Sequence, residues 1–250
     1  MNLYDIFLKH PVVTTDSRNC PAGSIFFALK GEKYNANAFA AEALEKGCSY
    51  AVVDEAEYAL DERYVLVKDV LHSLQELAAT HRKRVGVRII GITGSNGKTT
   101  TKELITSVLK EKYKVHATQG NLNNHIGVPL TLLQLTNQHQ LAIVEMGANH
   151  PGEIKHLCEI AQPDFGIITN VGKAHLEGFG SFEGVMKTKA ELYAHIASNG
   201  MGVFINSDLN YLQEMAADAG LSTDKQIAYS IKIILIYPSL QVKSYPVIRI

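Results

Sequence analysis

Apolar positions along the chain fall into short runs separated by polar and glycine-containing turns, and the period and length of each run predict its element. Ser24 to Leu29 (SIFFAL) and Tyr50 to Asp54 (YAVVD) are continuous apolar runs of strand length, and Val65 to Val67 is a shorter one. Ala38 to Lys46 has helical spacing and stops at Gly47, the residue best suited to follow a helix end. Val70 to His81 repeats its apolar positions at the period of an amphipathic helix. Residues 1–84 therefore predict a small α/β unit. The basic stretch His81-Arg82-Lys83-Arg84 leads out of it, and from Ile89 onward the pattern becomes a regular alternation. Strands predicted at 88–93, 140–146, 164–171 and 202–206 alternate with helices at 98–112, 151–161, 182–198 and 209–219. Alternation of this kind predicts a mostly parallel sheet flanked by helices, with right-handed crossovers, over 85–250. The stretch from Ile227 to Ile250 breaks the pattern: Ile231 to Tyr237 is strand-like, but Pro238 and Pro246 interrupt the remainder, and it reads as an atypical tail, cut or replaced.

Composition narrows the classes. At 250 residues, 46% hydrophobic and 20% charged, the chain can bury a core and has room for two domains. Lys and Arg number 24 against 25 Asp and Glu, a formal net charge of -1, so no general basic field advertises nucleic acid or an anionic membrane, and an anionic ligand would need a local site. Cys20, Cys48 and Cys158 stand far apart and form no metal-site spacing; they read as buried small residues or free thiols of a reducing compartment. No basic segment followed by an apolar one opens the chain, and no run reaches the ~20 apolar residues of a membrane span. A cytoplasmic protein, neither inserted in a membrane nor bound to nucleic acid, is expected.

The strongest chemical signal is Thr93-Gly94-Ser95-Asn96-Gly97-Lys98-Thr99-Thr100, directly after a predicted strand and directly before a predicted helix. Glycines there let backbone N–H groups approach phosphates, and the helix N-terminus adds partial positive charge. Lys98 would reach the β- and γ-phosphates, and Thr99 would offer its hydroxyl to Mg²⁺. Ile92 stands where the longer phosphate-loop pattern has its first glycine, so this is the shorter form. The sheet is accordingly expected to be of the phosphate-loop (P-loop) type. Leu141 to Glu145 is a buried-type strand ending in a carboxylate, aimed at the same sheet edge, where Glu145 reads either as a Mg²⁺ ligand or as a solvated acid. Asn170 and His175 follow a third strand at that edge. Gly120 to Pro129 (GNLNNHIGVP) is a loop dense in side-chain amides, suited to a sugar or a diphosphate and equally to an elaborate turn leading into a helix.

The blocks TGSNGKTTTKE (93–103), GNLNNHIGVP (120–129), EMGANHPGEI (145–154) and ITNVGKAHLEGFGSFEGVMKTKAEL (168–192) together resemble the Mur ligase family, most closely its members that join D-alanyl-D-alanine to UDP-N-acetylmuramoyl-tripeptide. Asp16-Ser17-Arg18 with Gly23 to Gly31 is similar to the part of the family that receives the UDP end of the substrate. The resemblance covers about residues 12–215. It implies an N-terminal substrate domain, and a reaction in which ATP phosphorylates the peptide carboxylate and the dipeptide amine attacks the acyl phosphate. It also implies roles. Residues 93–100 hold ATP, Lys98, His175 and Lys189 are catalytic, and Thr99, Glu145, His175 and Lys189 bind Mg²⁺, Lys189 as a carbamate. Ser17, Arg18, Asn121 and Asn124 are implied to bind substrate, and a monomer is expected. Family members continue into a third domain for which 250 residues leave no room, so a truncated or frameshifted chain is expected. Two other readings stand beside this one: another ligase of the superfamily, such as a folylpolyglutamate synthase, and a nucleotide-binding module without turnover. No guanine-reading or kinase signature comes after the loop.

Overall fold

A computed structural model describes residues 2–172 and 176–230. The chain opens with α1 (Leu3–Lys9), β1 (Val13–Thr14), β2 (Ile25–Phe27) and the β3 (Lys30–Gly31) to β4 (Tyr34–Asn35) hairpin. Then come α2 (Ala40–Glu45), β5 (Tyr50–Val53), β6 (Tyr64–Leu66) and α3 (Val70–Val85). Strands β1-β2-β5-β6 form a parallel sheet. Its middle strands are apolar throughout because both faces are covered. Phe26, Ala51 and Val53 pack to one side against α2, and Ile25, Phe27 and Val52 to the other against α1 and α3.

Helix α3 runs four residues past its predicted end. Asp69 caps it at the start by accepting the His72 N–H at 2.7 Å, and Gly86, left-handed at φ 68°, ends it. The basic stretch thus forms the last helical turn, where positive charge suits the carbonyl end. Arg82 is buried and donates to the carbonyls of Ala161 and Gln162 (3.0 and 2.9 Å) and to Asp164 Oδ2 (2.8 Å). Further back on α3, His81 links the Tyr4 hydroxyl (3.1 Å) to the Leu135 carbonyl (2.8 Å), two partners that suit a neutral ring; burial lowers its pKa.

The remaining elements are β7 (Arg88–Thr93), α4 (Lys98–Lys110), β8 (Val115–Ala117), α5 (Gly127–Leu133), β9 (Leu141–Glu145) and α6 (Glu153–Ala161). They continue with β10 (Phe165–Ile168), α7 (Leu176–Phe179), α8 (Phe182–Asn199), β11 (Gly202–Asn206), α9 (Asn210–Asp218) and β12 (Gln226–Tyr229). Among the described residues six strands pair, all parallel, in the order β12-β11-β10-β7-β9-β8. The α/β class and the parallel, helix-flanked sheet expected from the alternation are what the chain forms. Because β7 sits between β9 and β10, the chain leaves its carboxyl end at the point where strand order reverses, the crevice where open α/β sheets bind ligands.

Some elements differ from expectation. β8, three residues long, was not predicted, and the amide-rich loop takes the alternative of a turn leading into a helix: α5 begins inside it with Pro129 in its first turn, where proline is tolerated. β12 takes Gln226 to Tyr229 parallel to β11, so the stretch set apart from 227 onward begins inside the sheet. The strand expected at Ile231 to Tyr237 lies outside the described residues. No helix among the described residues is long and apolar enough to cross a membrane. All three cysteines are free thiols, with Cys48 and Cys158 buried.

Candidate functional site

The crevice is built around the exit of β7. Thr93 is fully buried and its hydroxyl donates to the Met146 carbonyl at 2.8 Å, tying the root of the loop to the end of β9. Its side chain therefore braces the loop from below. Gly94 has φ 147°, and a Cβ there would stand 2.0 Å from Thr169 Oγ1, so no other residue fits. Beyond it, the end of β10 clasps the loop. The Ser95 N–H donates to the Asn170 carbonyl and the Asn96 N–H to Asn170 Oδ1, both at 3.0 Å. The Asn96 carbonyl accepts from the Thr169 hydroxyl (2.7 Å) and the Asn170 amide (3.0 Å).

Two loop amides that the glycine-rich pattern suggested for phosphates are thus engaged by Asn170. In the first turn of α4 the first backbone bond runs from the Thr101 N–H to the Gly97 carbonyl, so the N–H groups of Lys98, Thr99 and Thr100 precede the helical ladder. The Thr100 side chain is exposed and does not line the cavity in front of the loop. Lys98 folds back over the loop and donates to the carbonyls of Gly94 (2.8 Å) and Ser95 (3.2 Å). Burial lowers its pKa, and the Glu145 charge opposes that shift.

Glu145 ends β9, which is buried along its whole length, and is itself 1% exposed, so the solvated-acid reading falls away. Its Oε1 accepts from the Thr99 hydroxyl at 3.2 Å and from the Asn123 side-chain amide at 2.9 Å. Its Oε2 is buried, accepts no hydrogen bond and lies 3.7 Å from Lys102 Nζ. Neither Asn123 nor Lys102 stands out in the sequence. Asn123 lies between the two asparagines that do, and Lys102 is indistinguishable by type from a solvated helix lysine. Asn124 instead caps α5 by accepting the N–H groups of Ile126 (3.1 Å) and Gly127 (2.9 Å), while its side chain also borders the cavity. Asn121 is exposed outside that lining.

The cavity, of about 740 Å³, is lined by Gly94, Ser95 and Lys98, by Asn123 and Asn124, by Leu71 and Gln75 of α3, and by Glu153, Phe179 and Lys189. Lys189 is 3% exposed, its ammonium 5.5 Å from the centre of the Phe179 ring. Its pKa is pushed down to about 8, first by burial and then by the charge of Lys98, against the pull of Glu153 and Glu191. Glu191, two residues on, accepts the N–H groups of Gly152 and Lys155, each at 2.8 Å, and so caps α6 from the neighbouring helix. Two lysines, Lys98 and Lys189, bordering one cavity beside the first turn of α4 suit an anionic ligand.

Ser17 and Arg18 lie apart from this cavity: Ser17 is buried, its carbonyl receiving Lys46 Nζ at 3.0 Å. The exposed Arg18 guanidinium pairs with both oxygens of Asp16 (2.9 Å each) and holds that carboxyl down at about 2. His175 lies outside the described residues.

With this geometry in place, the comparisons with known proteins decide the family. Residues 92–238 match the Mur ligase middle domain, more than half of the chain, and residues 11–82 match the Mur ligase family catalytic domain. The chain belongs to the Mur ligase family. It is 42% identical over 204 residues to the UDP-N-acetylmuramoyl-tripeptide--D-alanyl-D-alanine ligase of Haemophilus influenzae, covering 80% of this chain and 44% of that one. The Escherichia coli ligase of the same name is 41% identical over 198 residues, with 79% and 43% covered. Among solved structures, the MurF ligase of Thermotoga maritima in complex with ADP superposes with a TM-score of 0.78 at 32% identity, covering 92% of this chain and 51% of that one. MurF of Acinetobacter baumannii gives 0.76 at 37% identity, with 87% and 47% covered. The chain thus spans less than half the length of these two curated relatives.

Proposed function

We propose that this Mur ligase chain binds Mg-ATP at the 94–99 loop and serves, in the cytoplasm, the ligation of D-alanyl-D-alanine to UDP-N-acetylmuramoyl-tripeptide in cell-wall precursor synthesis. The observation that carries the reading is the opening of one cavity onto the phosphate loop, Lys98 and the buried Lys189 together, beside the Thr99 and Glu145 pair. In the reaction, a peptide carboxylate oxygen attacks the γ-phosphorus of ATP and ADP leaves. The dipeptide amine then attacks the acyl phosphate carbonyl, loses a proton and expels inorganic phosphate.

This chain's residues would act mainly by position and charge. The first-turn amides of α4 receive phosphate oxygens, and Lys98 exchanges the loop carbonyls for the β- and γ-phosphates. Glu145 and Thr99 fit Mg²⁺: a carboxylate and a hydroxyl side by side are hard oxygen donors, and the ion would offset phosphate charge there. Among the described residues no cluster of three or more His, Cys, Asp or Glu side chains forms a metal cage, so substrate oxygens would complete the shell. The depressed pKa of Lys189 leaves roughly a tenth of its amine neutral at pH 7, enough to react with CO₂ to the carbamate that the family resemblance implies. The N-terminal sheet, with Ser17 and Arg18, would receive the UDP end, and Asn121 and Asn124 the substrate side of the crevice. His175 would serve a second Mg²⁺.

The test is calorimetric titration of Mg-ATP into the parent and a Lys98→Ala variant, with ADP release measured in the presence of UDP-N-acetylmuramoyl-tripeptide and D-alanyl-D-alanine. The expected result is loss of at least about 2 kcal/mol of Mg-ATP binding in the variant. A variant that holds Mg-ATP as tightly as the parent would overturn the nucleotide site. Binding without dipeptide-dependent ADP release would reduce the chain to a nucleotide-binding module.

A further inference from the structure

Lys102 sits in the second turn of α4 on the side facing the sheet, and none of it is exposed. A buried ammonium is costly unless it is paired. Here it donates to the Thr118 carbonyl at 2.6 Å and lies 3.2 Å from Glu103 Oε1 and 3.7 Å from Glu145 Oε2. The two oxygens of Glu145 therefore keep different company. Oε1 meets the Thr99 hydroxyl and the Asn123 amide, which borders the cavity, whereas Oε2 is turned inward, without a hydrogen bond, toward Lys102. The Glu145 main chain is held from the same quarter, its N–H donating to the Thr118 hydroxyl at 3.0 Å.

We infer that Lys102 is a positioning residue that sets cation selectivity: its buried ammonium holds Oε2 of Glu145 inward, so that the carboxylate offers a single oxygen, Oε1, beside the Thr99 hydroxyl. One carboxylate oxygen suits Mg²⁺, which is small, keeps much of its water and takes the rest of its shell from phosphates. Ca²⁺ is larger, takes six to eight oxygens and gains from a carboxylate that can present both. With the ammonium removed, the carboxylate is free to rotate about its last bond, and the site loses what distinguishes the smaller ion. The Lys102 side chain does not line the cavity and acts only through Glu145. The inference rests on the reading of this site as a Mg-nucleotide site.

Its test is the affinity of the chain for ATP alone, with Mg²⁺ and with Ca²⁺, in the parent, Lys102→Met and Lys102→Gln. Methionine removes charge and donor at similar volume; glutamine keeps a donor for the Thr118 carbonyl and removes only the charge, so it preserves the fold if that hydrogen bond is what the fold needs. Thermal melts identify the folded variants. Displacing a group that orients a metal ligand typically costs 10–100-fold, so Mg-ATP affinity is expected to fall roughly tenfold, Ca-ATP affinity to fall less, and metal-free ATP affinity to stay unchanged. An unchanged Mg-to-Ca ratio in a folded variant overturns the inference, and so does an equal loss for metal-free ATP, which would make Lys102 merely structural. A parent that shows no Mg-dependent binding overturns the site reading and the inference with it, whereas a Mg-preferring parent beside unaltered variants overturns the inference alone.

Discussion

Lys189 shows at the scale of one residue how a buried charge in a candidate site opposes stability. Burial holds its pKa at about 8 against an ordinary value of 10.5, so the folded chain binds that proton more weakly than the unfolded one. The penalty is therefore present in full below about pH 8 and disappears as the pH rises toward 10.5, where the unfolded chain alone still holds the proton. Lys189→Met in CO₂-free buffer is expected to stabilise the fold at pH 7 by about 2 kcal/mol, a rise in Tm of roughly 4–8 °C, and by much less at pH 10. Equal gains in the two melts would assign the effect to packing instead of charge. The same residue shows the limit of reading side chains by type. Lys98, Thr99 and Glu145 were legible as candidates because a glycine loop and strand ends announce them. Lys102 and Asn123 were not, since the burial of the first and the Glu145 contact of the second belong to the folded chain.

Elements carry a second kind of positioning. Helix α6 starts at the cavity rim, and its N-terminus is held by carboxylates: Glu153 accepts the N–H groups of Asn149 (2.6 Å) and His150 (3.0 Å), and Glu191 reaches over from α8. Carboxylates at that end of a helix satisfy unpaired amides and oppose the helix dipole. Glu191→Ala should cost about 1–2 kcal/mol in urea denaturation and speed hydrogen exchange at the Gly152 and Lys155 amides, while Glu191→Gln should retain part of the protection. Unchanged exchange at those two amides would remove Glu191 from this role. Helices α4, α8 and α9 were legible from their alternation with the strands. β8 was missed because a three-residue strand has too few positions to show a period, and α5 stayed one reading among others because side-chain amides suit a ligand, a turn or a helix start alike.

At the scale of the molecule, one apolar core runs from α1 and β2 through α3 to α5, α6 and α8, so the N-terminal sheet and the central sheet share their packing. Arg82 fastens the two from inside that contact, bound to two carbonyls and to Asp164, whose Oδ2 also receives the Ile89 N–H at 2.7 Å. Removing one member of a largely buried ion pair leaves the other without its partner, which typically costs 3–5 kcal/mol. Arg82→Met is expected to lower stability by about that amount and to expose the 85–88 segment to limited proteolysis. A variant melting with the parent would show that the shared apolar core alone sets the contact.

Sequence alone determined what depends on local order: which of the longer segments are strands and helices, the parallel class that their alternation enforces, and the glycine loop whose backbone only glycine can adopt at position 94. Tertiary structure decided what depends on neighbours distant in the chain. It placed β7 between β9 and β10, turned Asn170 onto the loop amides, spent the Thr93 hydroxyl beneath the loop, and set an ammonium from α4 behind the carboxylate of β9. The physical reason is that period and capping act within a few residues. Desolvation and hydrogen-bond satisfaction of a buried charge are instead settled by partners that folding alone brings together.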